Sequence, residues 1–76
     1  MPASFLGERI AEARKAKGLT QRRLAEAIGM EVMSVSRIER GVRQPSLRRL
    51  QDIAGTLDVP VSRLLGEEPA ATKGVA

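Results

Sequence analysis

Cysteine, histidine, tryptophan and tyrosine are all absent from the chain, and its single aromatic residue is Phe5. Without cysteine there is no disulfide framework, and a structural zinc site lacks its usual thiolate and imidazole ligands. The side chains most often used for acid-base and nucleophilic catalysis are missing as well, and so is a glycine-rich phosphate loop. The residue types therefore argue against an enzyme, and we expect neither a cofactor nor a metal.

Long hydrophobic runs are also missing. Hydrophobic residues make up 42% of the chain and charged residues 29%, which is an ordinary globular composition and too interrupted for a membrane span. Residues 1–7 lack the basic start and apolar run of a secretory signal. We expect a cytoplasmic protein with no membrane partner. The 76 residues leave room for one domain with a single small core.

Positive charge is concentrated in the first two thirds of the chain. Residues 1–49 hold eleven Lys and Arg against five Asp and Glu, a net charge of +6, whereas residues 50–76 hold two against four, a net charge of −2. A basic surface favours a polyanion as partner, because each phosphate that it neutralises releases condensed counterions. Arginines that only solvate helix faces would give the same count, so charge alone leaves both interpretations open.

Apolar residues recur at helical spacing, and no segment alternates for long enough to predict a strand. The stripes of a first, a fourth and a short fifth helix are Leu6, Ile10 and Ala13; Leu47, Leu50, Ile53, Ala54 and Leu57; and Val61, Leu64 and Leu65. Ser4 can cap the first helix and Gly18 can end it. Ser46 can cap the fourth helix, and Pro60 can open the fifth.

The most informative pattern lies in residues 20–41. Thr20 can cap a second helix that ends at Gly29, since glycine adopts the left-handed conformation without strain. A third helix runs from about residue 32 to residue 40 and stops at Gly41. Two short helices joined at a glycine corner form a helix-turn-helix, which can present a helix to the base edges in the major groove of DNA. The pattern therefore predicts a DNA-binding protein.

The predicted fold is all-α. Five helices surround one core in a domain that covers residues 1–66, and helices 2 and 3 form the helix-turn-helix. Residues 67–76 are small, polar and without pattern, so we predict a disordered C-terminal tail there.

Several short motifs occur at consistent spacing along this pattern. They are GLTQ at residues 18–21, LA at 24–25, IG at 28–29, SRIERG at 36–41 and PSL at 45–47. On these motifs the chain resembles the Cro/repressor-type (Xre-like) helix-turn-helix family from about Leu6 to Leu65. The resemblance implies a compact, lambda-repressor-like five-helix domain whose third helix enters the major groove.

The resemblance further implies that four side chains of helix 3 contact base edges: Val32, Met33, Ser34 and Arg37. Helical spacing supports this, because it directs Val32, Met33 and Arg37 away from the core. Arg37 is the strongest candidate, since its planar fork can donate to guanine O6 and N7 together. Val32 and Met33 are apolar where relatives commonly place glutamine, so they can select only the thymine methyl group. Core packing for these two, and a phosphate contact for Arg37, are the alternative roles.

Contacts to the DNA backbone are implied for a second set of side chains: Gln21 and Arg22 in the first turn of helix 2, and Arg40 and Arg43 around the end of helix 3. Gln21 stands beside a helix N-terminus, where free N–H groups and the helix dipole favour an anion. Contacts of this kind set the register of a protein on DNA and carry no sequence information themselves.

Two further sets of residues are expected to be structural. Arg14 and Glu39 fall where relatives pair an arginine of helix 1 with a glutamate of helix 3, so Glu39 is interpreted as part of an ion pair and not as a base contact. The family often dimerises at the junction of helices 4 and 5. The corresponding interface residues are Leu57, Val59, Pro60 and Val61.

The function that follows is sequence-specific binding of double-stranded DNA by a homodimer on a pseudo-palindromic operator. We expect a transcriptional repressor or autoregulator that is associated with the nucleoid. An antitoxin or a restriction controller with the same fold is an alternative, and an antitoxin would also have a protein partner. The rival from another class is a helical protein-binding module without DNA specificity.

Overall fold

The structure is a computed structural model that describes residues 2–66, with side chains from Phe5 onward. Five α-helices follow one another in the described residues, and no strand is present among them. The helices are α1 (Pro2–Ala16), α2 (Gln21–Ile28), α3 (Val32–Glu39), α4 (Leu47–Leu57) and α5 (Val61–Leu64). The all-α, five-helix prediction is confirmed. The predicted tail at residues 67–76 lies outside the described residues.

The corner between α2 and α3 is built by local hydrogen bonds. Thr20 caps α2, because its side chain accepts a hydrogen bond of 3.0 Å from the backbone N–H of Arg23. Gly29 ends α2 with φ at +71°, and its N–H donates to carbonyls of the last turn. Glu31 precedes α3 in an extended conformation and makes no side-chain capping bond. The predicted cap and stop of α2 are therefore confirmed.

The ends of the other helices agree with the sequence pattern at most positions. Ser46 caps α4 by accepting from the backbone N–H of Arg49 at 3.2 Å, and Pro60 directly precedes α5. Ser4 is wrong as an N-cap, because α1 already begins at Pro2, a residue suited to a first helical turn. Asp58, which the pattern did not predict, ends α4 with φ at +63°.

One hydrophobic core contains residues of all five helices. Its buried members are Ile10, Leu24, Ala25, Ile28, Val35, Ile38, Leu50, Ile53, Ala54, Leu57 and Leu64. Val35 and Ile38 anchor α3, and each is only 2% exposed. Because these two side chains point inward, the opposite edge of α3 faces away from the core.

Helix α1 crosses the end of α3 at very short range. A Cβ atom built on the buried Gly7 would lie 2.5 Å from the carbonyl oxygen of Ile38 and closer still to that of Glu39. Only a residue without a side chain fits at such a distance. Gly7 therefore allows α1 to support the C-terminal turn of α3.

Candidate nucleic-acid interface

The outer edge of α3 is largely exposed to solvent. Met33 is 54% exposed, Arg37 is exposed and Ser34 is half-buried. Ser34 and Arg37 are three residues apart, so they share one side of the helix. The structure thus brings three of the four expected base-contacting residues onto one outward surface.

Val32 differs from the other three. Its side chain is half-buried and packs against the hydrophobic core, so the expectation that it is directed away from the core is wrong and the alternative of core packing applies. The reason is its spacing, since Val32 lies three residues before the buried Val35 and on the same side of α3. Only part of the Val32 side chain is left for contact with another molecule.

The loop after α3 carries Arg43 back onto this surface. Its Nη1 donates a hydrogen bond of 3.2 Å to Ser34 Oγ. The backbone N–H groups of Val42 and Arg43 both donate to the carbonyl oxygen of Arg37, at 2.9 and 3.3 Å. These contacts join the loop to α3. The sequence pattern did not predict them, because no local signal indicates where an arginine side chain in a loop will turn.

Arg40 lies beside the outward surface. It is exposed, and its Nε lies 3.4 Å from Ser36 Oγ one turn back on α3. Arg22, in the first turn of α2, is exposed as well. Together with Arg37 and Arg43 they make this end of the domain strongly basic, with Glu31 as an exposed acidic neighbour at the start of α3.

Gln21 is joined to a buried ion pair. The Nε of Arg14 lies 2.7 Å from Glu39 Oε2, and the Arg14 Nη2 donates to Glu39 Oε1 at 3.1 Å, so the contact is bidentate. Gln21 Nε2 donates to the same Oε1 at 2.9 Å. One amide hydrogen of Gln21 is used in this way, and the amide has a second hydrogen that can donate. The structure therefore places the two expected structural residues together, with an expected backbone contact attached to them.

Arg49 is another residue that the sequence pattern missed. Its Nη1 donates to the carbonyl oxygen of Ile28, the last residue of α2, although Arg49 lies in α4, 21 residues later in the chain. The free carbonyl groups at a helix C-terminus need such donors. Arg49 therefore fixes the end of α2 against α4, next to the corner that leads into α3.

The expected dimer surface is only partly accessible. Leu57 is wrong as an interface residue, because it is 2% exposed and its side chain is already used in the core of the subunit. Val59 and Val61 are half-buried, and Pro60 is exposed. Leu65, one turn beyond Val61, is 46% exposed and adds apolar surface at the same junction.

Among residues 2–66, no group of three or more acidic, cysteine or histidine side chains is placed to hold a metal ion. In the same residues no helix has both the length and the apolar character needed to cross a membrane.

Comparison with known proteins identifies the family. Residues 10–64 match the helix-turn-helix family. The uncharacterized HTH-type transcriptional regulator YazB of Bacillus subtilis is 41% identical over 68 residues, which are 90% of this chain and 99% of YazB. The HTH-type transcriptional regulator SinR of Bacillus subtilis is 39% identical over 65 residues, which are 84% of this chain but only 59% of SinR.

Solved structures agree with this result. The restriction-modification controller protein C.AhdI of Aeromonas hydrophila is similar at a TM-score of 0.76 and 38% identity, over 83% of this chain and 94% of that one. The structure of SinR in complex with DNA is similar at a TM-score of 0.74 and 39% identity, over 79% of this chain and 97% of that one. The chain therefore belongs to the helix-turn-helix family, in its Cro/repressor (Xre-like) branch.

Proposed function

We propose that this protein is a sequence-specific regulator of transcription that binds duplex DNA with α3 in the major groove. The observation that carries the proposal is the division of α3 into two edges. Val35 and Ile38 fix one edge in the core, and the other exposes Met33 and Arg37. A helix held in this way can enter the groove as a rigid rod, because Met33 and Arg37 are already exposed and α3 does not have to leave the core.

Different side chains of α3 contact different groups on the bases. Arg37 can donate two parallel hydrogen bonds to a guanine, a contact worth about 1–3 kcal/mol of discrimination. Met33 offers an apolar surface to a thymine methyl group. Val32 contributes less, because its side chain is half-buried against the core.

Contacts to phosphates hold α3 in register. Gln21 begins α2, where the helix dipole and its remaining amide hydrogen favour a phosphate oxygen. Arg22, the next residue of α2, and Arg40, directly after α3, are exposed and add positive charge. Each neutralised phosphate lowers the logarithm of affinity by about 0.9 for each tenfold rise in salt concentration. Affinity for duplex DNA should therefore fall steeply with salt.

The binding unit is a homodimer. One module of this size buries only about 600–1,000 Å² on DNA, and two joined modules gain affinity through effective concentration. The interface is formed by the apolar surface at the junction of α4 and α5: Val59, Pro60, Val61 and Leu65. A twofold axis there places the recognition helices in half-sites about 10 base pairs apart on a pseudo-palindromic operator.

The biological role is a repressor or an autoregulator acting at the nucleoid. A restriction controller is the second candidate, favoured by the 38% identity to C.AhdI over most of that chain. Transcription in vitro from a promoter that carries the selected operator separates the roles. A repressor lowers the output at every protein concentration, whereas a controller that activates raises it over part of the range.

The proposal is tested by selecting bound sequences from a random duplex library with the wild-type chain. We expect an inverted repeat, and we expect the Arg37→Ala variant to lose the preference at one base pair of each half-site. The matched control is Arg23→Ala, an exposed arginine in α2 that should leave every base preference unchanged. If no sequence is enriched and binding is insensitive to salt, the chain is a protein-binding module instead.

A further inference from the structure

We propose that Arg43, in the loop between α3 and α4, reads a base in the major groove and is a second specificity-determining residue beside Arg37. Ser34 acts as its positioning residue. The proposal rests on the proposed function, because it assigns a base to another side chain of the same surface. It replaces the expectation from the sequence that Arg43 contacts only phosphate.

The backbone of the loop supports this role. Gly41 has φ at +79°, and its N–H donates to the carbonyl oxygen of Ile38 at 3.1 Å. The next two N–H groups, of Val42 and Arg43, both donate to the carbonyl oxygen of Arg37. The loop is therefore wound back onto the end of α3. The position from which the Arg43 side chain departs is fixed relative to the recognition helix.

The side chain then extends along α3 towards its beginning. Arg43 Nη1 reaches Ser34 Oγ, nine residues earlier in the chain, at 3.2 Å. Ser34 is the third residue of α3 and shares a side with Arg37. Two guanidinium groups and one hydroxyl thus lie on the same outward surface. The Arg43 guanidinium therefore lies beside the N-terminal half of α3, and the N-terminal residues of a recognition helix are the ones that contact base edges.

The chemistry of the pair suits a guanine. A guanidinium group has five N–H donors, of which the contact with Ser34 uses one. Two of the others can donate together to guanine O6 and N7. The hydrogen bond to Ser34 also limits the rotamers of a long side chain before DNA arrives, which lowers the entropy lost on binding. Ser34 by itself could hydrogen-bond with almost any base; in this arrangement its role is to hold the Arg43 side chain in position.

Arg40 provides an internal comparison. It also bonds a serine of α3, Ser36, at 3.4 Å and is equally exposed. Ser36 lies two residues from Ser34, so the two hydroxyls point about 160° apart around the helix. The two serines therefore lie on opposite flanks of α3. Ser34 lies about 60° from Arg37 around the helix and Ser36 about 100° from it, so the serine bonded by Arg43 is the nearer of the two to Arg37.

The experiment is the random-duplex selection, repeated with the full chain carrying Arg43→Ala, Ser34→Ala, Arg40→Ala or Ser36→Ala. Binding of the selected duplex and of its single-base variants is then measured at one salt concentration. We expect Arg43→Ala to remove discrimination of about 5- to 150-fold at one base pair of each half-site. This base pair differs from the one lost in Arg37→Ala. Ser34→Ala weakens the same preference, and Ser36→Ala leaves it unchanged.

Arg40→Ala should instead weaken binding to all duplexes by the same factor. If Arg43→Ala behaves in that way too, Arg43 is a phosphate contact and the proposal is overturned. If Ser34→Ala and Ser36→Ala are indistinguishable, the positioning role of Ser34 is overturned. Failure of the wild-type chain to enrich any sequence would instead overturn the proposed function, and so the two failures are distinguishable. Thermal unfolding of Arg43→Ala and Arg40→Ala should stay unchanged, because both arginines are exposed. The same measurement on Ser34→Ala and Ser36→Ala checks that these variants are folded.

Discussion

Glu39 connects the core with the recognition surface, which is the outer edge of α3 that exposes Met33 and Arg37. Its carboxylate accepts hydrogen bonds from Arg14 on α1 and from Gln21 on α2, while its own backbone belongs to the last turn of α3. The side chains of Arg14 and Glu39 are only 10% and 6% exposed. The pair therefore fixes the relative positions of three helices, and a change to it acts on both stability and the placement of Gln21.

Loss of Arg14 should be costly for this reason. In Arg14→Ala the carboxyl group of Glu39 stays buried without its cationic partner, so we expect the free energy of unfolding to fall by about 3–5 kcal/mol. Lys17→Ala is the matched control, because its contact with Asp58 is 3.7 Å long and exposed. That variant should lose less than about 1 kcal/mol. Urea unfolding measures the free energy of unfolding of both variants. Equal losses would mean that the buried ion pair stabilises the fold no more than the exposed one.

A pair of glycines tests the close approach of α1 to α3. Gly7→Ala forces a methyl group into the backbone carbonyls of Ile38 and Glu39, and we expect a loss of about 1–3 kcal/mol. Gly55→Ala in α4 meets open space. That variant should gain about 0.5–1 kcal/mol, since alanine favours a helix over glycine. Denaturation curves in which both variants change stability in the same direction would contradict the short distance between the helices.

Single residues show where sequence reasoning succeeds and where it stops. The family resemblance gave the positions of Arg14 and Glu39, and helical spacing gave the direction of Arg37. The contacts of Gln21 with Glu39 and of Arg49 with Ile28 join residues 18 and 21 positions apart. Such contacts depend on how the helices pack, and no periodic pattern in one segment contains that information.

At the scale of elements, α3 is a helix that cannot be stable alone. It has eight residues and lacks a side-chain N-cap, whereas isolated helices shorter than about 12 residues are marginal in water. Its conformation is therefore maintained by packing through Val35 and Ile38. The recognition surface is only as rigid as this packing.

Two substitutions in α3 separate its two edges. Ile38→Ala removes a core side chain that is 2% exposed, and we expect a loss of about 2–5 kcal/mol with partial or complete unfolding at ambient temperature. Met33→Ala changes a side chain that is 54% exposed, and the free energy of unfolding should move by less than about 0.5 kcal/mol. Circular dichroism during thermal unfolding compares them. A normal melting curve for Ile38→Ala would mean that the helix is rotated from the described orientation.

The helices themselves were largely predictable, because their ends are set by residues within one turn of the helix. Thr20, Gly29 and Ser46 each act through hydrogen bonds within one turn, and the structure confirms all three. The predictions that Leu57 lies in a dimer interface and that Val32 is directed away from the core are wrong, because the burial of both residues depends on neighbouring helices. A stripe of apolar residues indicates which face is buried, but the residues at its margin can lie on either side of the boundary.

At the scale of the whole molecule, most of the exposed arginines and the proposed dimer junction belong to different elements. Five of the seven exposed arginines in the described residues lie on α2, on α3 or in the loop after α3, and the other two are Arg48 on α4 and Arg63 on α5. The exposed apolar residues Pro60 and Leu65 lie at the junction of α4 and α5. This separation suits a protein that binds a polyanion with one surface and a second copy of itself with another. Each function can then be changed without the other.

Sedimentation tests the dimer. The wild-type chain should sediment as a dimer when it saturates its operator, and Leu65→Glu should shift it to a monomer because a charge would be buried in the interface. Val42→Glu is the control, since Val42 is 67% exposed and lies in the loop after α3. It should leave the oligomeric state unchanged. A wild-type monomer at concentrations that saturate specific binding would exclude the proposed interface.

The central claim is that the outer edge of α3 enters the duplex, and an amide chemical-shift titration with the selected operator tests it most directly. We expect the largest shifts in residues 32–37 and at Gln21, while Glu8 and Glu12 on the exposed side of α1 move little. Resonances of α3 that stay in place while others shift at saturating duplex would contradict the claim.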